Sequence, residues 1–133
     1  MSKTIVTTAD APPPIGPYSQ AVQTGNMLFI SGQICLDPVT GELMNRDIQE
    51  ETHKVMHNLK AILLKAGMDF SNVVKTTIFI TDMHRFGEVN EVYGKYFTGN
   101  LPAGQAGFPA RETVQVSALP KFVNVEISMI AVE

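Results

Sequence analysis

Between Asp47 and Ala66 the apolar residues Ile48, Val55, Leu59, Ile62, Leu63 and Ala66 recur at helical spacing, and Gly67 follows as a C-terminal stop. This stretch predicts the first helix. Upstream, Ser19 to Gln23 and Met27 to Gln33 are β-compatible, and Gly25-Asn26 between them suits a tight turn, which predicts a hairpin. Asp37-Pro38-Val39-Thr40-Gly41 predicts a reversal after Leu36. Before Tyr18, the run Pro12-Pro13-Pro14 lacks backbone donors, so an extended, irregular segment is expected there.

Downstream, Val73 to Thr81 is rich in β-branched residues and reads as a central strand. Asp82 then caps a second helix ending near Phe97, with Phe86, Val89, Tyr93, Tyr96 and Phe97 on one face. Gly87 and Gly94 weaken that helix by about 1 kcal/mol each, so packing must hold it. After a Gly-containing loop from Thr98 to Gly107, strands are expected at Thr113 to Leu119 and Val123 to Val132, joined across Pro120-Lys121.

The expected order is β-β-α-β-α-β-β, an α/β (α+β) domain spanning residues 1–133 with two helices on one face of a sheet. On the last strand Val125, Ile127 and Met129 alternate with Ile130 and Val132, so both faces of that strand are apolar. The helices cover one face, and another subunit is the economical cover for the second.

The 133 residues suffice for one core. Hydrophobic residues at 44% and charged residues at 17% place the chain among folded globular proteins. A net charge of -3, with ten scattered Lys and Arg residues, offers no basic stripe for nucleic-acid phosphates. The single cysteine, Cys35, has no intramolecular disulfide partner, and the first 18 residues lack the apolar core of a signal peptide, which points to the reducing cytoplasm. No apolar run approaches the roughly 20 residues of a membrane span.

Few residues carry chemistry on pattern alone. His53 and His57 lie four apart on the first helix, but they fall about 160° and 200° from Val55, opposite the apolar stripe, and no third ligand has a recognisable spacing. They are expected to face solvent or a partner, with no metal. Cys35 between Ile34 and Leu36 reads as a small core residue. The stretch Gly99 to Gly107 lacks the GK[ST] of a phosphate cradle, and no serine sits in G-x-S-x-G. Arg111, at a loop-to-strand boundary beside Phe108 and Pro109, is either a solvated surface residue or a carboxylate clamp, because a guanidinium offers a rigid fork of donors that fits two carboxylate oxygens. Glu126 alternates away from Val125 and Ile127, so it faces water or whatever meets the second sheet face.

Several motifs in order along the whole chain, APPPIGPYSQAV, FISGQI, VVKTTIFITDM, FGEVNEVYGKYF, FPARETVQV and LPKFVNVEISMIAV, resemble the reactive intermediate deaminases, the RidA or YjgF family. The resemblance implies a chorismate-mutase-like fold and a homotrimer whose sheets line a central barrel, with active sites in the clefts between subunits. It implies that Arg111 grips a substrate carboxylate, the mark of the deaminase branch, and that Glu126 holds the attacking water. Tyr18, Ser31 and Gly32 match the pocket wall and its backbone donors, and Asn90 matches a structural Asn nearby. Thr113 stands where many deaminase members carry cysteine, which excludes a thiol role there while its backbone N–H remains a donor to substrate. The loop before Phe108 is a few residues longer than the family pattern.

The implied reaction is hydrolysis of 2-imino acids to 2-keto acids and ammonia, without a cofactor. Two alternatives stand beside it: a module that binds 2-keto or imino acids without turnover, and an RNA-cleaving translation inhibitor, which the acidic balance disfavours.

Overall fold

The computed structural model describes residues 2–98 and 107–133. Six strands, β1 (Thr4–Val6), β2 (Ala21–Thr24), β3 (Met27–Gln33), β4 (Val73–Ile80), β5 (Ala110–Gln115) and β6 (Val125–Val132), form one sheet in the order β1-β2-β3-β6-β4-β5. All neighbours are antiparallel except β4 and β5. Two helices, α1 (Ile48–Lys65) and α2 (Phe86–Gly94), complete the domain.

The helix α1 follows from its sequence at both ends and along its length. Asp47, in an extended conformation, accepts from the Glu50 N–H as N-cap, and Gly67 takes φ +76 just past the last turn. Val55, Met56, Leu59, Ile62 and Leu63 are fully buried against the sheet residues Leu28, Ile78, Ile80, Val125, Ile127 and Ala131. On β6 every second residue is buried, beginning with Val125, and the alternate residues, beginning with Glu126, are only half-buried. The sheet thus has one closed face under the helices. On its other side Phe29 is 41% exposed, and Val22, Phe29, Lys75, Thr77, Ser128 and Ile130 surround a shallow cavity of about 340 Å³.

Several boundaries differ from expectation. The N-terminal segment is not wholly irregular: Thr4–Val6 pairs with Ala21–Gln23 as an edge strand too short to show a periodic pattern. Asp82 does not cap an α-helix. It caps a single 3-10 turn, Met83–Arg85, and α2 begins only at Phe86 and stops at Gly94, where the second glycine weakens it. The fifth strand starts at Ala110 rather than Thr113, because parallel pairing of Lys75 with Ala110 and Thr76 with Arg111 recruits residues whose own pattern is weak. Arg111 therefore lies one residue inside the strand, next to the loop-to-strand boundary where the sequence placed it. The loop expected from Thr98 to Gly107, with its extra length, lies almost wholly outside the described residues.

Candidate functional site

Arg111 is the second residue of β5 and pairs with Thr76, which is fully buried under the helices. Paired residues of neighbouring strands point to the same side, so Arg111 rises on the helix face. There its Cζ lies 5.1 Å from the Tyr93 ring centre and 5.5 Å from that of Phe86. These aromatic faces hold the guanidinium by cation–π attraction without using its N–H donors. Tyr93 is in turn fixed by its hydroxyl, which donates to Thr76 Oγ1 at 3.0 Å. Arg46 and Arg85 each pair with a glutamate, whereas Arg111 has no carboxylate partner among the described residues. Asn90, Tyr93, Gly94, Phe108, Pro109 and Arg111 line a cavity of about 270 Å³. Among the described residues it is a largely apolar pocket with one free, oriented cation, suited to a small carboxylate.

Glu126 belongs to a different cavity, of about 250 Å³, lined by Ile15, Tyr18, Ser31, Gly32, Ile34, Pro120 and Glu126. A bulge builds this second cluster. Between Ile30↔Met129 and Gln33↔Ile127, the two residues Ser31 and Gly32 stand opposite the single residue Ser128, and the extra residue re-aims the strand beside Glu126. A Cβ on Gly32 would come within 2.7 Å of Glu126 Cδ, so glycine is required for the carboxylate to sit where it does. Burial pushes the Glu126 carboxyl above its ordinary range, the direction that suits a group exchanging a proton with water near neutrality.

Tyr18 reaches this cavity from the N-terminal segment, its hydroxyl accepting from the Ile15 N–H at 3.2 Å. The segment is clamped by buried Gln20, whose Oε1 accepts from Thr8 N and whose Nε2 donates to the carbonyls of Thr8, Ala11 and Pro12. The Ser31 hydroxyl donates to the Ser19 carbonyl at 2.6 Å, so it anchors the same segment and keeps only lone pairs for a ligand.

The residues singled out in the sequence thus fall into two clusters, Arg111 with Asn90 and Glu126 with Tyr18, Ser31 and Gly32. Glu126 pairs with Phe79, three residues from Thr76 on β4, and the two clusters occupy opposite faces of the sheet. Thr113 shares the helix face with Arg111, and its Oγ1 is buried with no hydrogen-bond partner among the described residues.

Other candidates resolve into structure. Cys35 is fully buried, and burial, with the Glu51 carboxylate nearby, pushes its thiol up to about 11, far from a nucleophile's range. His53 does not simply face solvent: its Nδ1 lies 2.7 Å from the Tyr96 hydroxyl, and both His53 and His57 pack against the Tyr96 ring. Among the described residues no group of three His, Cys, Asp or Glu side chains is placed to hold a metal ion, and no helix is long and apolar enough to cross a membrane. Sequence reasoning missed Glu51 and Asn58, polar residues buried on the sheet side of α1. The signal was present, because Glu51 precedes Val55 by four and so lies on the apolar stripe.

Comparison with known proteins agrees with these features. A family model described as endoribonuclease L-PSP matches residues 8–133. The protein DfrA of Myxococcus xanthus is 53% identical over 99% of this chain and 97% of its own length. The mouse protein named 2-iminobutanoate/2-iminopropanoate deaminase is 49% identical over 97% of this chain and 90% of its own length. Among solved structures, E. coli TdcF with bound serine superposes with a TM-score of 0.90 at 44% identity, covering 98% of each chain. The fold is therefore the chorismate-mutase-like α+β fold of the Rid proteins, as the sequence motifs implied.

Proposed function

Because the chain belongs to the endoribonuclease L-PSP family, which includes the RidA and YjgF proteins, we propose that it is a deaminase hydrolysing 2-imino acids such as 2-iminopropanoate and 2-iminobutanoate. The observation that carries this reading is Arg111: a guanidinium with no carboxylate partner among the described residues, held by Tyr93 and Phe86 in a small apolar pocket. Such an arrangement selects a carboxylate by a two-point fit and leaves the neighbouring apolar wall for a short side chain.

The reaction is R-C(=NH)-COO⁻ plus water giving R-CO-COO⁻ plus ammonia. The imine carbon is already electrophilic, so catalysis is mainly the orienting of substrate and water and requires no cofactor. In this mechanism Arg111 fixes the carboxylate. Glu126, with its carboxyl raised above the ordinary range by burial, orients the water and accepts its proton as the C–O bond forms. Backbone N–H groups near Gly32 and Thr113 hold the imine end. Proton return to nitrogen and cleavage of the C–N bond then release ammonia.

Arg111 and Glu126 serve one substrate only if they come from different chains. The proposed assembly is therefore a homotrimer in which the half-exposed sheet face carrying Phe29 and Ile130 is covered by neighbouring copies, working in the cytoplasm on small 2-imino and 2-keto acids.

The test is to generate 2-aminoacrylate or 2-aminocrotonate with a serine or threonine dehydratase and follow keto-acid appearance. The protein should accelerate it. Arg111→Lys keeps the charge but loses the fork, and should lower kcat/KM by about 30- to 1,000-fold, the equivalent of roughly 2 to 4 kcal/mol. Binding of the keto acid without acceleration would make the protein a capture module instead.

A further inference from the structure

Glu51 is fully buried in the first turn of α1. Its Oε2 accepts from the backbone N–H groups of Asn124, at 2.7 Å, and Val125, at 2.9 Å, while Oε1 accepts from Asn124 Nδ2 at 2.8 Å. No cation pairs with it among the described residues. A carboxylate withdrawn from water without a counter-ion persists only where hydrogen bonds replace its hydration, and here three donors do so.

What these donors have in common is their place in the sheet. β3 stops pairing with β6 at Gln33↔Ile127, two residues short of the start of β6. On the β4 side that start is held by Ile80↔Val125 and by the Thr81 N–H donating to the Asn124 carbonyl at 3.0 Å. On the other side Glu51 replaces the missing strand. The next residue is Glu126.

We infer that Glu51 is a positioning residue for Glu126, tethering the two preceding peptide N–H groups so that the Glu126 carboxylate lies over Gly32. The inference rests on the deaminase reading for its consequence in turnover, but the placement itself is independent of it. The influence is geometric. Burial is what displaces the Glu126 carboxyl upward. Tyr18 is the other titratable group lining the Glu126 cavity, and Cys35, buried and protonated, lies near Glu51.

Geometry and charge are separable because Glu51→Gln is isosteric. The Gln oxygen can still accept from both backbone N–H groups, and the Asn124 amide can turn over to accept from the Gln N–H. Glu51→Leu keeps the volume and removes every tether. Asn124→Ala removes only the side-chain contact and supplies a milder variant should Leu fail to fold.

The experiment follows the Glu126 carboxyl carbon by NMR through a pH titration and, in parallel, single-turnover imine hydrolysis, for wild type and the three variants. Glu51→Gln should keep the wild-type titration midpoint and kcat. Glu51→Leu should bring the midpoint down towards that of an ordinary carboxylate and lower kcat by about tenfold or more, with KM nearly unchanged because Arg111 still holds the substrate. Asn124→Ala should shift both in the same direction by less. A folded Leu variant, or the Asn124→Ala variant if Leu does not fold, with wild-type midpoint and kcat overturns the inference. A Gln variant as impaired as Leu overturns it too, since charge would then be what matters. If wild type shows no turnover the deaminase reading fails, and the titration midpoints alone decide the role of Glu51.

Discussion

Arg111 pairs with Thr76 and Glu126 with Phe79, so the two side chains expected to act on one substrate leave the sheet from opposite faces. A strand would have to slip by one residue to bring them to the same side, and that would turn its buried set outward. In the proposed mechanism the site therefore takes these two residues from different chains. Mixing Arg111→Ala and Glu126→Ala subunits, each inactive alone, and allowing them to reassort should restore activity at about a quarter of the sites in a 1:1 mixture, by random assortment around a closed ring. Assay of the mixture before and after exchange checks this; no recovery after demonstrated exchange would mean that the two residues act within one chain or not at all.

Gly32 and Glu126 form the tightest fit in the second cavity. A methyl group at residue 32 would lie 2.7 Å from Glu126 Cδ and 2.9 Å from Cγ. Gly32→Ala should therefore displace the carboxylate and lower turnover about tenfold or more, at little cost in stability because the atoms met belong to a flexible, half-buried side chain. A urea midpoint close to wild type together with a reduced kcat checks this; an unchanged kcat would show that the carboxylate acts from another position.

The raised Glu126 carboxyl links pH to both stability and rate, with opposite signs. Its folded-state value lies above the unfolded one, so its contribution to stability is full below the unfolded value and is lost as pH rises through the folded one. Wild type and Glu126→Gln should therefore melt most alike at acid pH, with wild type falling behind as pH rises. Turnover runs the other way, because a water-activating carboxylate must be ionised: kcat should decline as pH falls through the same raised value. Parallel melting and kcat profiles in wild type and Glu126→Gln check both.

Between Leu119 and Val123 the backbone is strained. Lys121 and Phe122 both take φ of 56°, a left-handed conformation disfavoured for residues with a bulky side chain, and Phe122 is 87% exposed in the single chain. Phe122→Asn should raise stability by roughly 1 kcal/mol, since Asn tolerates this conformation and little packing is lost. Urea denaturation measures it. A lower midpoint would show that the Phe122 ring is packed against another chain in the assembly.

Much of the fold was legible because its signals are local. Apolar residues at helical spacing and the Gly67 stop located α1 to within a residue or two, Gly25 takes a positive φ in the hairpin turn, and the β-branched run from Val73 identified β4. Less was legible where pairing decides. β1 has three residues and no alternation of its own, and β5 begins at Ala110 only because β4 offers a parallel edge to bind. Local propensity cannot report a partner distant in the chain.

The same division runs through the site. The types and order of Arg111, Glu126, Tyr18, Ser31, Gly32 and Asn90 were written in the motifs, since a carboxylate clamp and a proton acceptor are properties of side chains. Only the tertiary structure decided which of them meet. It separated Arg111 from Glu126 by a sheet's thickness, committed the Ser31 hydroxyl to the Ser19 carbonyl, and buried Glu51 behind β6. A side chain's chemistry belongs to its residue. The face it occupies and the partner it meets follow from strand register and packing, which join residues far apart in the chain.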